Sequence, residues 1–84
     1  MKVLITVKSG KCQGDIHEPG QTFTVGETIP AGICSGAWDA IAPYVMTLKY
    51  GGNFPWEPER GTAEVHCHDP KGIVLKLRRI EEQG

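Results

Sequence analysis

The sequence predicts a small α+β domain in which two β-hairpins form one antiparallel sheet and a single kinked helix packs on one face of that sheet. Runs that alternate apolar and polar residues lie towards both ends of the chain, and between them lies a segment whose apolar residues have helical spacing. The chain has 84 residues, which is enough for one hydrophobic core. Residues 1–84 are therefore expected to form a single domain.

The first hairpin is predicted from Lys2–Lys8 and Gln21–Val25. Apolar β-branched residues alternate along Lys2–Lys8, as is typical of a strand with one buried face. Between the two strands, Ser9–Gly20 contains three glycines and one proline, which indicates a turn-rich loop.

The helix is predicted to begin near Ser35, a residue type that can cap a helix N-terminus, and to end at Gly51 and Gly52. Pro43 lies inside the helical pattern and cannot donate a backbone hydrogen bond, so we expect either a kink there or a break into two short helices. The apolar positions with helical spacing are Trp38, Ile41, Tyr44, Val45 and Leu48.

The second hairpin is predicted from Thr62–His68 and Ile73–Ile80, joined by a turn at residues 69–72. The segment Asn53–Gly61 that precedes it is too rich in proline for regular structure. Its aromatic residues Phe54 and Trp56 are expected to fold back on the core. The alternative is that they form a lid or a subunit contact.

Charge and hydropathy exclude some classes of protein. The formal net charge of −1 argues against a protein that follows a nucleic-acid backbone, and the basic residues Lys76, Arg78 and Arg79 are expected to lie on a solvated strand edge. No segment has the length needed to span a bilayer, and Lys8 interrupts the apolar start of the chain before it resembles a signal peptide. We therefore expect a cytoplasmic protein that binds neither nucleic acid nor membranes.

The three cysteines, Cys12, Cys34 and Cys67, narrow the chemistry most. Their odd number and the lack of a close pair indicate free thiols or metal ligands in a reducing compartment, rather than disulfides. Each cysteine lies beside a turn or an element end, where a fold can bring thiols together. Cys34 directly precedes the predicted helix, whose unpaired amides and dipole favour an anion such as a thiolate.

Two histidines are candidates for a fourth ligand. His17 follows Cys12 by five residues, and His68 directly follows Cys67. Alternation along the third strand places Cys67 on the core face and places His66 and His68 on the opposite face. His68 nevertheless stands at the strand end, where alternation can fail, so it remains a reserve ligand.

These residues are compatible with a zinc ion held by three thiolates and a histidine, or with an iron–sulfur cluster held by three thiolates. The sequence contains no C-x-x-C pair, so the spacing is not that of a common zinc motif. Two alternatives remain open. The cysteines pack as small buried hydrophobes, or Cys34 or Cys12 acts as a nucleophile with His17 as its base.

Five segments together carry a resemblance: Lys11-Cys12 with His17, Gly20 and Phe23; Gly32-Ile33-Cys34 with Ala37; Gly51–Trp56; Cys67–Pro70; and Arg78–Ile80. The chain resembles, over nearly its whole length, a family of small bacterial and archaeal proteins that share three cysteines and a Gly-Gly-x-Phe-Pro-Trp motif. That family has proline where this chain has His68, and its loop between Cys12 and His17 is one residue shorter. The resemblance implies a shared arrangement around three thiols and no particular substrate.

The sequence therefore predicts a protein that binds a metal ion or an iron–sulfur cluster in a structural or redox-accessory role. The ligands are Cys12, Cys34 and Cys67, with His17 or His68 as the candidate for a fourth. The second interpretation is a non-catalytic interaction module whose cysteines only pack, and the third is a cysteine-dependent enzyme. A homodimer is expected because the chain is short and has two edge strands and an aromatic loop to cover.

Overall fold

The computed structural model describes residues 2–10, 17–66 and 72–80. These residues form a four-stranded antiparallel sheet with one helix on one face, which confirms the predicted α+β class. The elements in chain order are β1 (Lys2–Ser9), β2 (Thr22–Val25), α1 (Ser35–Lys49), β3 (Thr62–His66) and β4 (Val74–Ile80). The strand order in the sheet is β2-β1-β4-β3, so the two hairpins meet through β1 and β4.

The apolar face of the sheet is built by alternation along the two central strands. Ile5 pairs with Leu77 and Val7 pairs with Leu75, and all four side chains are buried. A register shift between Val7 and Ser9 ends this regular pairing. The buried residues form one cluster between the sheet and the helix: Val3, Ile5, Val7, Val25, Ala37, Ala40, Ile41, Val45, Leu48, Ala63, Val65, Ile73, Leu75 and Leu77.

Helix α1 begins at a different capping residue from the predicted one. The N-cap is Cys34, whose backbone is extended with φ −61° and ψ 138°, and its carbonyl accepts a hydrogen bond from the Trp38 amide at 2.9 Å. Ser35 is already the first helical residue. Its predicted role as the cap is therefore wrong, because the helical hydrogen-bond ladder starts one residue earlier, at the Cys34 carbonyl.

Helix α1 continues through Pro43, so the predicted break into two short helices is wrong. Proline removes one intrahelical hydrogen-bond donor, but both halves of the segment pack against the sheet, and this packing stabilises them as one continuous helix. The buried residues of the helix lie on both sides of Pro43: Ala37, Ala40, Ile41, Val45 and Leu48. Trp38 and Tyr44 from the predicted apolar face pack partly buried against the same core.

The helix ends at the glycine pair, as predicted. The Gly51 amide donates to the Leu48 carbonyl at 3.1 Å, and the Gly52 amide donates to the Thr47 carbonyl at 2.8 Å. Gly51 has a φ of 91°, a conformation that side chains with a Cβ rarely adopt. These two hydrogen bonds are those of a Schellman motif.

Arg79 of β4 closes the same helix end from the sheet. Its Nη1 donates to the Leu48 carbonyl at 3.2 Å and to the Gly52 carbonyl at 2.7 Å, and its Nη2 donates to Asn53 Oδ1 at 3.0 Å. The expectation that the basic run of β4 lies on a strand edge is wrong, because β4 is an interior strand. Of this run, Arg78 is exposed, while Arg79 is partly buried against the helix.

Residues 53–61 contain no helix or strand, in agreement with their proline content. Of their aromatic side chains, Phe54 packs against the core as expected, whereas Trp56 is 65% exposed, so the expectation that both complete the core is wrong for Trp56. The predicted turn at residues 69–72 lies mostly outside the described residues, and so does part of the loop between β1 and β2.

Candidate functional site

Strands β1 and β3 finish at the same end of the sheet. Both are antiparallel to β4, so they run in the same direction. Ser9 and His66, their last residues, both pair with Val74, the first residue of β4. With one strand between them, the two strand ends are about 10 Å apart. We call this end the loop end of the sheet. In the sequence, the segment that contains Cys12 follows β1, and Cys67 follows β3.

Gly10 brings two chain segments together at the loop end. It has a φ of 91°, and a Cβ on it would stand 2.5 Å from the Gly72 carbonyl oxygen and 2.9 Å from the Ile73 Cα. Only glycine fits such an approach, because the atoms in the way belong to backbone and cannot rotate aside. The chain that leaves β1 therefore lies directly against the residues that lead into β4.

His17 is buried at the loop end with both ring nitrogens hydrogen-bonded. It is 4% exposed, its Nε2 accepts from the Cys34 amide at 3.0 Å, and its Nδ1 lies 2.8 Å from Gln21 Oε1. Because an amide can only donate, Nε2 carries no proton, so the proton of the ring is on Nδ1 and is donated to Gln21. The ring of Phe23 meets the His17 ring edge to face, with a centroid distance of 5.3 Å and an interplanar angle of 82°.

Backbone hydrogen bonds fix this histidine relative to the sheet. The Val7 amide donates to the Gln21 carbonyl at 2.9 Å, and the Gly20 amide donates to the Val7 carbonyl at 2.8 Å. Val7 precedes the last residue of β1 by two positions. The hydrogen-bonded pair of His17 and Cys34 therefore lies at the loop end, close to where β1 finishes.

Cys34 presents a thiol at the N-terminus of α1. It is partly buried against the core, its side chain makes no capping hydrogen bond, and the first turn of the helix contains no acidic residue. The sulfur lies 3.9 Å from the point where a Cβ on Gly36 would stand, so it is over the first turn. Unpaired amides at a helix N-terminus favour a negatively charged group or ligand close to them.

His17 and Cys34 are not arranged as a base and a nucleophile. A general base must accept the proton of the nucleophile, which requires a ring nitrogen free to face the sulfur. The ring nitrogen nearest Cys34 instead accepts its backbone amide, and the other nitrogen is bonded to Gln21. The geometry connects the two residues through the backbone rather than through the thiol.

One surface ion pair lies near the loop end. Lys8 Nζ donates to Glu64 Oε1 between β1 and β3. This hydrogen bond, and then the charge of Lys8, lower the pKa of Glu64 below its ordinary value of 4.5. Glu64 and His66 are both exposed, as the predicted alternation along the third strand requires.

Of the five candidate ligands, the structure brings His17 and Cys34 together, while Cys12, Cys67 and His68 lie outside the described residues. Within residues 2–10, 17–66 and 72–80, no group of three or more His, Cys, Asp or Glu side chains is placed to hold a metal ion. Every buried side-chain nitrogen or oxygen atom in that part of the chain has a hydrogen-bond partner.

Sequence reasoning missed two residues of the loop end. Gln21 orients His17, and Gly10 allows the close approach of two backbones. The only signal for Gln21 is its position four residues after His17, which is not a recognised pattern. The signal for Gly10 is a glycine close to the end of the first predicted strand, since glycine in or near a strand can mark the close approach of another backbone.

A second feature lies away from the loop end. Tyr44, Phe54 and Trp56 form an aromatic cluster, with centroid distances of 5.4 Å between the first two rings and 5.0 Å between the last two. Trp56 is the most exposed member at 65%. The cluster extends from the core to the surface, as an anchor for a partner would.

Comparisons with known proteins found no matching family, no matching curated protein and no matching solved structure. Among the described residues, no helix has both the length and the apolar character required to cross a membrane.

Proposed function

We propose that this protein binds a metal ion or an iron–sulfur cluster through the thiolates of Cys12, Cys34 and Cys67, in a structural or redox-accessory role. The observation that carries the proposal is how closely the three cysteines follow or contact the loop end of the sheet. Cys34 bonds His17 there, Cys67 directly follows the last residue of β3, and Cys12 follows Gly10 by two positions. The resemblance to the three-cysteine family supports the same set of ligands.

Chain geometry supports the meeting of the three thiols. Consecutive Cα atoms are 3.8 Å apart, so the Cα of Cys12 is at most about 7.6 Å from that of Gly10, and the Cα of Cys67 is about 3.8 Å from that of His66. Together these two distances are similar to the separation of about 10 Å between the ends of β1 and β3, so the chain is long enough for the two segments to meet. Thiolates on both segments can therefore meet, and Cys34 is connected to the end of β1 through His17 and Gln21.

The surroundings of Cys34 support ligation by its sulfur. A metal ligand must be the thiolate, and a helix N-terminus whose first turn contains no acidic residue is a favourable place for a negatively charged ligand. A bound centre would also add folding free energy to a chain whose single core is small. An odd number of cysteines without a close pair in the sequence suits a reducing compartment, so we propose a cytoplasmic location.

Two kinds of centre fit three thiolates. Zinc would take a fourth ligand, with His17 and His68 as the candidates, and an iron–sulfur cluster would leave one iron without a protein thiolate. Neither kind requires paired cysteines when the ligands come from different elements of the fold.

Metal analysis and an absorption spectrum of anaerobically purified protein test the proposal. We expect about one zinc ion per chain, or sulfur-to-iron charge-transfer absorption with iron and sulfide. Alanine at Cys12, Cys34 or Cys67 should abolish binding. His66→Ala is the matched control, because His66 is an exposed neighbour of Cys67 in the chain. The proposal is rejected if the parent protein contains no metal and takes up neither Zn²⁺ nor Co²⁺.

The aromatic cluster favours a second candidate function, in which the protein is an interaction module that forms a homodimer. An exposed tryptophan in contact with a partly buried aromatic residue is typical of an interface anchor. Sedimentation of the dimer at micromolar concentration should change to that of a monomer on Trp56→Ala. Tyr50→Ala is the control, because Tyr50 is 77% exposed and contacts Lys49 rather than the aromatic cluster. A parent protein that sediments as a monomer would exclude this function.

A further inference from the structure

We infer that His17 positions the Cys34 thiol and is not itself a metal ligand, an inference that rests on the proposed function. Both ring nitrogens of His17 already have partners, with Nε2 on the Cys34 amide and Nδ1 on Gln21 Oε1. Histidine ligates a metal through a ring nitrogen lone pair. In the neutral ring the single available lone pair is on Nε2, and the Cys34 amide uses it.

Metal ligation by Nε2 of His17 would leave the Cys34 amide without a hydrogen-bond acceptor. The Cys34 amide would lose its acceptor at a place where His17 is only 4% exposed. An unpaired amide is unfavourable where it faces a buried group, because the space that the ring occupies admits little water to act as acceptor instead. Because the Cys34 carbonyl also begins the helical ladder, movement of this residue would disturb the first turn of α1.

The contacts of His17 form a continuous connection from the sheet to the thiol. Val7 of β1 bonds the backbone of Gln21, and the side chain of Gln21 bonds Nδ1 of His17. Nε2 of His17 bonds the amide of Cys34, and the edge contact with Phe23 fixes the plane of the ring. This connection sets the place of Cys34 relative to the end of β1. Residues that orient metal ligands in this way affect affinity without touching the metal.

One consequence concerns the composition of the centre. With His17 assigned to positioning, the protein ligands are the three thiolates, and the fourth position is left to His68 or to a non-protein ligand. A closed zinc site made of the three cysteines and His17 is then excluded.

Two substitutions separate positioning from ligation. His17→Gln places an amide oxygen that can still accept from Cys34, whereas His17→Leu has a similar size and no acceptor. Binding of Zn²⁺ is measured by competition with a chromophoric chelator. We expect His17→Gln to retain the parent affinity and His17→Leu to weaken it roughly 10- to 100-fold. If His17 is a ligand, both variants will lose affinity equally, which overturns the inference.

Nitrogen NMR of the histidine rings provides a readout that does not depend on the variants folding. In the ¹⁵N-labelled parent protein we expect His17 to be the Nδ1-protonated tautomer, with an Nε2 resonance that stays in place when Zn²⁺ is added. A Zn²⁺-induced shift of Nε2, or a proton on Nε2 in the metal-free protein, overturns the inference while leaving the three-thiolate proposal intact. A parent that binds no Zn²⁺ and contains no cluster rejects the proposed function and, with it, the positioning role.

Discussion

Arg79→Ala is the substitution that best tests how α1 is anchored to the sheet. The guanidinium donates to the carbonyls of Leu48 and Gly52 and to Asn53 Oδ1, at 3.2, 2.7 and 3.0 Å. Hydrogen bonds that involve a charged group contribute about 1.5–3 kcal/mol each. A cation at the C-terminus of a helix adds about 0.3–1 kcal/mol. These contacts anchor the end of the helix opposite to the one that carries Cys34.

The expected loss of stability is smaller than the sum of these terms. The Leu48 carbonyl keeps the Gly51 amide as a donor, and Asn53 Oδ1 keeps the Gly61 amide at 2.7 Å. Water can replace the guanidinium in part, because Arg79 is only partly buried. We therefore expect the free energy of unfolding to fall by about 2–4 kcal/mol.

Urea unfolding followed by circular dichroism measures this loss, and melting should show a fall in Tm of at least about 8 °C for a domain of this size. Arg78→Ala is the matched control. Arg78 pairs with Glu59 on the surface, where the two side chains are 51% and 54% exposed, so its loss should cost less than about 1 kcal/mol. Equal losses in the two variants would refute the anchoring role of Arg79.

Three further predictions concern the loop end. Gly10→Ala should destabilise the fold by about 2–4 kcal/mol in thermal melts, because it adds a backbone clash to a strained φ. Gly20→Ala is the control, because Gly20 has a φ of 93° but no atom near its Cβ position, and it should cost only about 1–2 kcal/mol. Similar losses in the two variants would contradict the close backbone approach at Gly10. Lys8→Met should raise the pKa of Glu64 towards 4.5 in an NMR titration. Since this pKa is lowered in the folded state, the contribution of the pair to stability is present above pH 4.5 and is lost as the pH falls below it; an unchanged pKa would count against the pair. Cys34→Ala should be less stable than the metal-loaded parent by several kcal/mol, because the variant binds no metal, and less stable than the metal-free parent by only about 1 kcal/mol. Chelator added to the parent should reproduce most of the first difference, and equal melting of all samples would indicate a packed thiol.

Local patterns were sufficient to predict the elements of the fold. The alternation in Lys2–Lys8 identified β1, and the glycine pair at residues 51 and 52 identified the end of α1, because alternation and positive φ are preferences of short segments. The N-cap was misassigned to Ser35 for the same reason. Serine is the better cap by its side chain, but the first helical hydrogen bond is accepted by the Cys34 carbonyl.

The candidate site was predictable only as a set of residue types. The prediction identified Cys34 and His17, and the structure joins them through an amide and a ring nitrogen of residues 17 positions apart. No local pattern encodes such a contact. It depends on where α1 packs relative to the first hairpin, and that is decided by the whole core.

By itself, the sequence determined the kind and the approximate position of the strands and the helix, and it identified the residues whose chemistry suits a metal centre. Only the tertiary structure decided that β1 and β4 are the central strands, that Arg79 anchors the helix instead of lying on an edge, and that His17 bonds the backbone of Cys34. The physical reason is the sequence separation over which the deciding interactions act. Alternation and glycine conformation act over a few residues, whereas strand order, burial and the partners of a ring nitrogen come from contacts between distant parts of the chain.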